Sequence, residues 1–278
     1  NDGTTDLTLV RNTIGTRIDE NNLVKSEANN IPRLNYKYGE QCPAILVEPP
    51  MTNQWTNNNT TTGYVSNSRA IKGSEVVDAF GTGFNGYEYT FDSTGQTFVS
   101  SAYSIRVFDG RPYTSMRVCI FIKNPSSDYF AINHGGGAGA ATFRFSDLTV
   151  QPFYSGMDNS KIVKINEDTY ALYLYVDGIV STTQFAQVRC TFVNGFSVNP
   201  TPIDGTAILG LGFFMGTTTT VQIPITDYSP IVTTSSTVTR VGDFYRKSLA
   251  TDIIGQNEGS VFIDFERTKI PGGIKALL

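Results

Sequence analysis

Through the middle of the chain, apolar and polar residues alternate with a period of two. Met116, Val118, Ile120 and Ile122 face one way, while Arg117 and Lys123 face the other. Tyr170, Leu172, Leu174 and Val176 repeat the pattern, as do Ala186, Val188, Cys190 and Phe192 against Gln187, Arg189 and Thr191. This period marks strands of antiparallel sheets with one buried face. Shorter candidates lie at Tyr87–Phe91, Tyr103–Phe108, Thr142–Phe145 and Thr219–Ile225. Turn clusters such as Asp109-Gly110-Arg111-Pro112 and Asn124-Pro125-Ser126-Ser127 punctuate them. No segment carries a sustained helical stripe with caps. The pattern predicts an all-β fold, an antiparallel β-sandwich of jelly-roll type over residues 64–230. Val118, Ile120, Leu172, Leu174, Val188 and Cys190 are its expected core.

The flanks read differently. Residues 1–63 form an irregular polar leader expected to pack on the sandwich, with one short apolar run at Ala44-Ile45-Leu46-Val47. The tract from Asn57 to Gly63 has little to bury and is expected to be an exposed loop. Beyond Ile223-Pro224-Ile225-Thr226-Asp227-Tyr228-Ser229-Pro230 the chain turns Thr- and Ser-rich, which predicts an extended linker over 231–258. Val261, Ile263 and Phe265 then alternate with Phe262, Asp264 and Glu266, predicting a strand at Gly259–Glu266. One strand cannot satisfy its own backbone groups, so residues 259–278 are expected to be an extra strand or the start of a truncated further domain.

Composition narrows the function. Hydrophobic residues make up 40% and charged residues 17%, with 18 Phe and 14 Tyr, which suits broad half-buried sheets. A net charge of −4 with scattered Lys and Arg lacks the basic footprint of a nucleic-acid binder. No apolar stretch approaches the length of a membrane span, so no membrane insertion is expected. Cys42, Cys119 and Cys190 lie far apart without a metal or redox spacing. Cys119 and Cys190 fall in alternating runs and are expected as buried free thiols of a chain made in a reducing cytoplasm.

Catalytic signatures are missing. His134 precedes Gly135-Gly136-Gly137, but no G-x-S-x-G elbow accompanies this oxyanion-like loop. The same glycines lack the Gly-Lys-Ser/Thr ending of a phosphate loop, and Gly210–Gly216 reads as a core strand with small residues. Glu75, Asp78, Glu88, Asp92 and Asp109 show no spacing that singles out a glycosidase pair. No catalytic residue and no cofactor are therefore assigned. A structural calcium ion would suit a jelly roll, but no dense Asp/Asn loop marks ligands, so the metal stays unassigned. Sugars bind by laying C–H faces on flat rings beside polar groups. Candidate carbohydrate-binding residues are Trp55, in a polar stretch, and Tyr64, Tyr103, Tyr113 and Tyr154, in or near loops. Core or rim packing is the competing reading for each.

The ordering of short motifs carries a resemblance. Gly15-Thr16-Arg17-Ile18 is followed by Ile31-Pro32-Arg33-Leu34-Asn35-Tyr36, Cys42-Pro43, Ile45-Leu46-Val47-Glu48-Pro49 and Thr52-Asn53. Thr237-Val238-Thr239-Arg240-Val241-Gly242-Asp243 and Ile253–Val261 follow much later. Taken in order, the chain resembles tailed-phage virion fibre and tail structural proteins. In these a carbohydrate-binding-module-like jelly roll precedes a concanavalin A/laminin-G-like domain. Asn21-Asn22 stands where a glycine is usual in that family, and Ile225-Thr226 replaces Pro-Thr. The resemblance implies a segment of a larger, non-enzymatic virion appendage, a head or tail fibre or spike. It would be made in the bacterial cytoplasm and exposed on the particle, for assembly and host-surface glycan adhesion. Its implied partners are copies of itself in a homotrimer, other virion proteins and a cell-surface glycan. Two alternatives stand beside adhesion: a spacer or trimerisation collar, and an accessory carbohydrate-binding module of a polysaccharide-degrading enzyme. Arg17, Arg33 and Glu48 lie among Pro and apolar neighbours, which predicts a structural ion pair between Glu48 and an arginine that pins the leader to the jelly roll.

Overall fold

The computed structural model describes residues 8–66, 69–94, 104–108, Tyr113, 115–134, 139–153, 159–177, 186–196, 200–217 and 229–246. The described chain is all-β and its strand pairings are antiparallel. Six short strands come first: β1 (Thr8–Val10), β2 (Gly15–Ile18), β3 (Val24–Glu27), β4 (Leu34–Asn35), β5 (Ala44–Ile45) and β6 (Met51–Asn53). Longer ones follow: β7 (Ala70–Gly81), β8 (Phe84–Phe91), β9 (Ser104–Phe108), β10 (Ser115–Lys123), β11 (Tyr129–His134) and β12 (Gly139–Arg144). Next are β13 (Val150–Pro152), β14 (Lys161–Lys164), β15 (Thr169–Asp177), β16 (Ala186–Val193), β17 (Pro202–Ile203) and β18 (Gly205–Thr217). The last are β19 (Val238–Arg240) and β20 (Phe244–Arg246).

Two six-stranded sheets form the body. The first runs β14-β15-β10-β18-β8-β7; the second runs β13-β12-β11-β16-β17, with β9 also on β16. Their facing sides share one apolar core that includes Val118, Ile120, Leu172 and Leu174 from the first sheet. Phe130, Ile132, Phe143, Val188, Cys190 and Phe192 meet them from the second. The predicted core therefore lies inside, in the phase that the alternation implies. Cys119 and Cys190 are buried free thiols whose pKa values burial pushes far up, so both are unreactive, while Cys42 is exposed.

The first sheet is covered on its other side too. Cys119, Phe121, Ala171, Tyr173, Leu211 and Phe213 point away from the second sheet and are buried by Ile18, Val24 and Met51 of the leader and Ile231 of the tail. Leader and tail thus make a third layer, knitted from the two-stranded pairs β1–β20, β19–β6, β2–β3 and β4–β5. This corrects two expectations. The leader is a set of short ribbons rather than an irregular coil. The described part of the expected linker, 231–246, is packed structure, with Ile231, Thr233 and Arg240 buried and β19 bonded to β6. The third layer approaches closely: at Gly81, where φ is +142°, a Cβ would sit 2.1 Å from the Val24 carbonyl oxygen. The predicted strands at Gly259–Glu266 and Thr219–Ile225 lie outside the described residues.

The polar tract at 57–63 is no free loop. Asn58 is fully buried, its amide donating to the carbonyls of Gly212 and Ile231 at 2.8 Å each. Asn53 does the same from one turn earlier, at 3.1 and 2.9 Å. Side-chain amides stand in for a ladder here and satisfy backbone groups that no neighbouring strand reaches.

Candidate functional site: a buried clasp and an end groove

The residues of the sequence motifs converge on one buried cluster between leader and tail. Arg33 pairs with Glu48 and with Asp243, and donates to the Thr16 carbonyl at 2.9 Å. Arg11 pairs with Asp243 at 2.9 Å and donates to the carbonyls of Ala28 and Ile31. Arg240 reaches Glu48 at 3.1 Å and Ser229 Oγ at 2.5 Å. The two carboxylate residues also lock the backbone: Glu48 N–H donates to Asp243 Oδ2, and Asp243 N–H donates to the Glu48 carbonyl, each at 2.9 Å. A Cβ on Gly15 would lie 2.8 Å from Arg33 Cδ, so only glycine lets the arginines lie over β2.

Three guanidinium groups face two carboxylates here, and all five side chains are essentially buried. Burial pulls the Arg33 pKa down, but Glu48 and Asp243 outweigh it and the net shift is upward. For Arg240 burial dominates and the shift is downward, because Glu48 is shared and Arg33 and Arg11 repel it. The arginine–Glu48 pair expected from the sequence is made by Arg33 within the leader, and Asp243 on Arg33 and Arg240 on Glu48 tie that pair to the tail rather than to the sandwich. Arg17 takes another partner, Glu27 across the β2–β3 ribbon at 2.6 Å.

The expected sugar-binding aromatics are placed otherwise. Trp55 is 0% exposed, its indole N–H donating to the Gly63 carbonyl at 2.8 Å, with its ring over Gly212, where a Cβ would clash at 2.5 Å. Tyr64 is buried between Trp55 and Tyr87, at centroid distances of 5.2 and 5.1 Å, and its hydroxyl accepts from Gly212 N–H. Neither offers a face to a ligand, so both are corrected to core residues. A ring in a polar stretch was buried because the stretch itself folds into the sandwich. Tyr113 is half-buried, edge-on to Phe214 at 5.5 Å. Tyr103 and Tyr154 lie outside the described residues. Gly210, Gly212 and Gly216 of β18 make room for Phe80, Trp55 and Tyr113, while Gly205 makes room for Phe192 of the facing sheet.

An open groove lies at one end of the sandwich, where strands of both sheets turn. The loop from Asn124 to Asp128 crosses from β10 to β11 there. It is fixed by Asn124 N–H to the Asp168 carbonyl at 2.8 Å and by Ser126 and Thr206, which bond reciprocally at 3.0 and 2.8 Å. One hollow of about 480 Å³ is lined by this loop, Phe145, Ser146, Glu167, Asp168 and Tyr170. A second of about 360 Å³ adjoins it through Ser126 and includes Asp92, Asp204 and Thr206. Tyr170 is half-buried and packs on Phe145 with centroids 4.8 Å apart.

The carboxylates around this groove are held in place by donors. Asp128 accepts from Arg144 Nε, Ser146 N–H and Ser146 Oγ at 2.8–3.0 Å. Burial pushes its pKa up, but those bonds outweigh it and the net shift is downward. Ser93 lowers Asp204, Thr94 lowers Asp92, and Tyr38 with Lys164 lowers Glu167. Tyr38 reaches the groove from the leader, its ring 4.4 Å beneath Lys164 Nζ. The alternation sets Tyr170 on the face of Leu172, and its place near the start of β15 leaves it half-buried at the groove. No cluster of His, Cys, Asp and Glu suited to a metal occurs among the described residues. No protein-family model matches the chain, and no curated protein matches its sequence.

Proposed function

We propose that this chain is a non-enzymatic module of a tailed-phage virion appendage, a jelly roll of carbohydrate-binding-module type that is displayed for attachment to a host surface. The observation that carries this reading is the register of β1 on β20, which sets Thr8 opposite Arg246. Leader and tail thus close on each other over one face of the first sheet, an arrangement that suits a displayed module. The motif resemblance is supported by a shared physical role, because Arg33, Glu48, Arg240 and Asp243 come from both ends and close one clasp. The non-enzymatic part is supported by the groove's acids. A glycosidase holds one carboxyl protonated by raising its pKa, whereas Asp92, Asp128, Glu167 and Asp204 are all shifted downward. Removing residues 9–245 from the full-length protein on the particle tests the reading. Host adsorption should fall while the appendage keeps its length in electron micrographs; an appendage shortened by the width of the module would make it a spacer.

A further inference from the structure

We infer that the groove at the β10–β11 end of the sandwich is a carbohydrate site, and that its ligand is a neutral oligosaccharide. The assignment rests on the attachment reading above and gives it an address, since Trp55 and Tyr64 have no face to offer. Tyr170, half-buried and packed on Phe145, puts an aromatic side chain in the groove's lining, the kind of surface that a sugar's C–H face needs. Around it stand the hydroxyls of Ser126, Ser127 and Ser146 and the carboxylates of Asp128 and Asp168. Sugar hydroxyls are donors, and these acceptors are already oriented. Asp128 takes three donated bonds and has room for about one more. Asp204 binds Ser93 through Oδ1 alone, at 2.8 and 2.7 Å.

Charge selects the glycan class. Asp92, Asp128, Glu167, Asp168 and Asp204 line the two hollows. The cations beside them, Arg144, Lys164, Lys123 and Arg69, lie against Asp128, Glu167, Asp168 and Asp92. Among the described residues no cation is left over there to bind a uronic or sialic acid, which leaves neutral hexoses. The two hollows, of about 480 and 360 Å³, meet at Ser126. The loops that build it are bonded to each other across both sheets, so binding orders little and loses little entropy.

The test is calorimetry of the whole 278-residue chain against a panel of neutral gluco-, galacto- and manno-oligosaccharides, with uronate-rich oligosaccharides as a control. At least one neutral glycan should bind. Tyr170→Ala should weaken it about tenfold or more, the loss expected when a central aromatic contact is truncated. Asp204→Asn, at an exposed rim position, keeps an oxygen to accept from Ser93 and should weaken it severalfold with little change in melting temperature. Binding that survives both substitutions would place the site elsewhere and overturn the assignment without touching the attachment reading. A chain that binds no neutral glycan, or prefers the uronates, would overturn it as well. The attachment reading is judged separately by adsorption of particles that lack the module.

Discussion

The two faces of the first sheet are both buried, yet they are held by different physics. Toward the second sheet, Val118, Ile120, Leu172 and Leu174 meet a continuous apolar surface. The driving force there scales with area and is indifferent to detail. Toward the third layer, Phe121, Tyr173 and Phe213 supply an apolar floor, but the cover consists of strands two to four residues long. Ribbons of that size are not stable alone. Their position is fixed by directional groups: Asn53 and Asn58 on Gly212 and Ile231, and the Arg11–Arg33–Arg240 clasp on Glu48 and Asp243. Apolar contact supplies adhesion on both sides, while the polar network decides register on one. Removing a methyl group and removing a charge should therefore have different consequences on the two faces.

The largest effect is expected at the clasp. Arg33→Ala takes one of two arginines from each of the buried Glu48 and Asp243 and should destabilise by about 3–5 kcal/mol, read by denaturant unfolding. Trp55 fluorescence should report whether the third layer opens before the sandwich, and a single coincident transition would mean that the two faces melt as one. Leu174→Ala, on the sandwich side, should cost about 2–5 kcal/mol through lost burial and a cavity, with an unchanged m-value. Next comes Asn58→Ala, which leaves the Gly212 and Ile231 carbonyls to Asn53 alone and should cost about 1–3 kcal/mol. Thermal melts that show no change would mean that the amide relay is redundant. Arg17→Ala removes a partly exposed pair on the β2–β3 ribbon and should cost less than about 1 kcal/mol.

The smallest effect separates the groove from the clasp by pH. Asp128 has a folded pKa below its ordinary 3.8, so its bonds to Arg144 and Ser146 stabilise the fold above that value and are lost as pH falls through the lower folded one. Because Asp128 is partly exposed, the term should be below about 1 kcal/mol. Melting curves of wild type and Asp128→Asn should differ at pH 6 and converge as pH falls well below 3.8, and curves that stay apart in acid would assign the difference to something other than ionisation.

The sequence by itself determined the fold class and which residues face the inter-sheet core. A period of two fixes which side of a strand each residue takes, and Val118, Leu172 and Cys190 obeyed it. It also determined that Glu48 would find an arginine, since a carboxylate among Pro and apolar neighbours needs one. Tertiary structure decided the rest. Period-two reading assumes one dry face, so it could not see that Phe121 and Tyr173 are buried as well, by leader and tail segments more than fifty residues away. It could not choose Arg33 over Arg17, because partner choice depends on which ribbon each arginine lies over. Trp55 and Tyr64 were drawn inside by Gly212 and Gly63, contacts with no local signature. The groove was invisible for the same reason: Asn124–Asp128, Phe145, Glu167–Tyr170 and Asp204–Thr206 become neighbours only where two sheets turn at a common end.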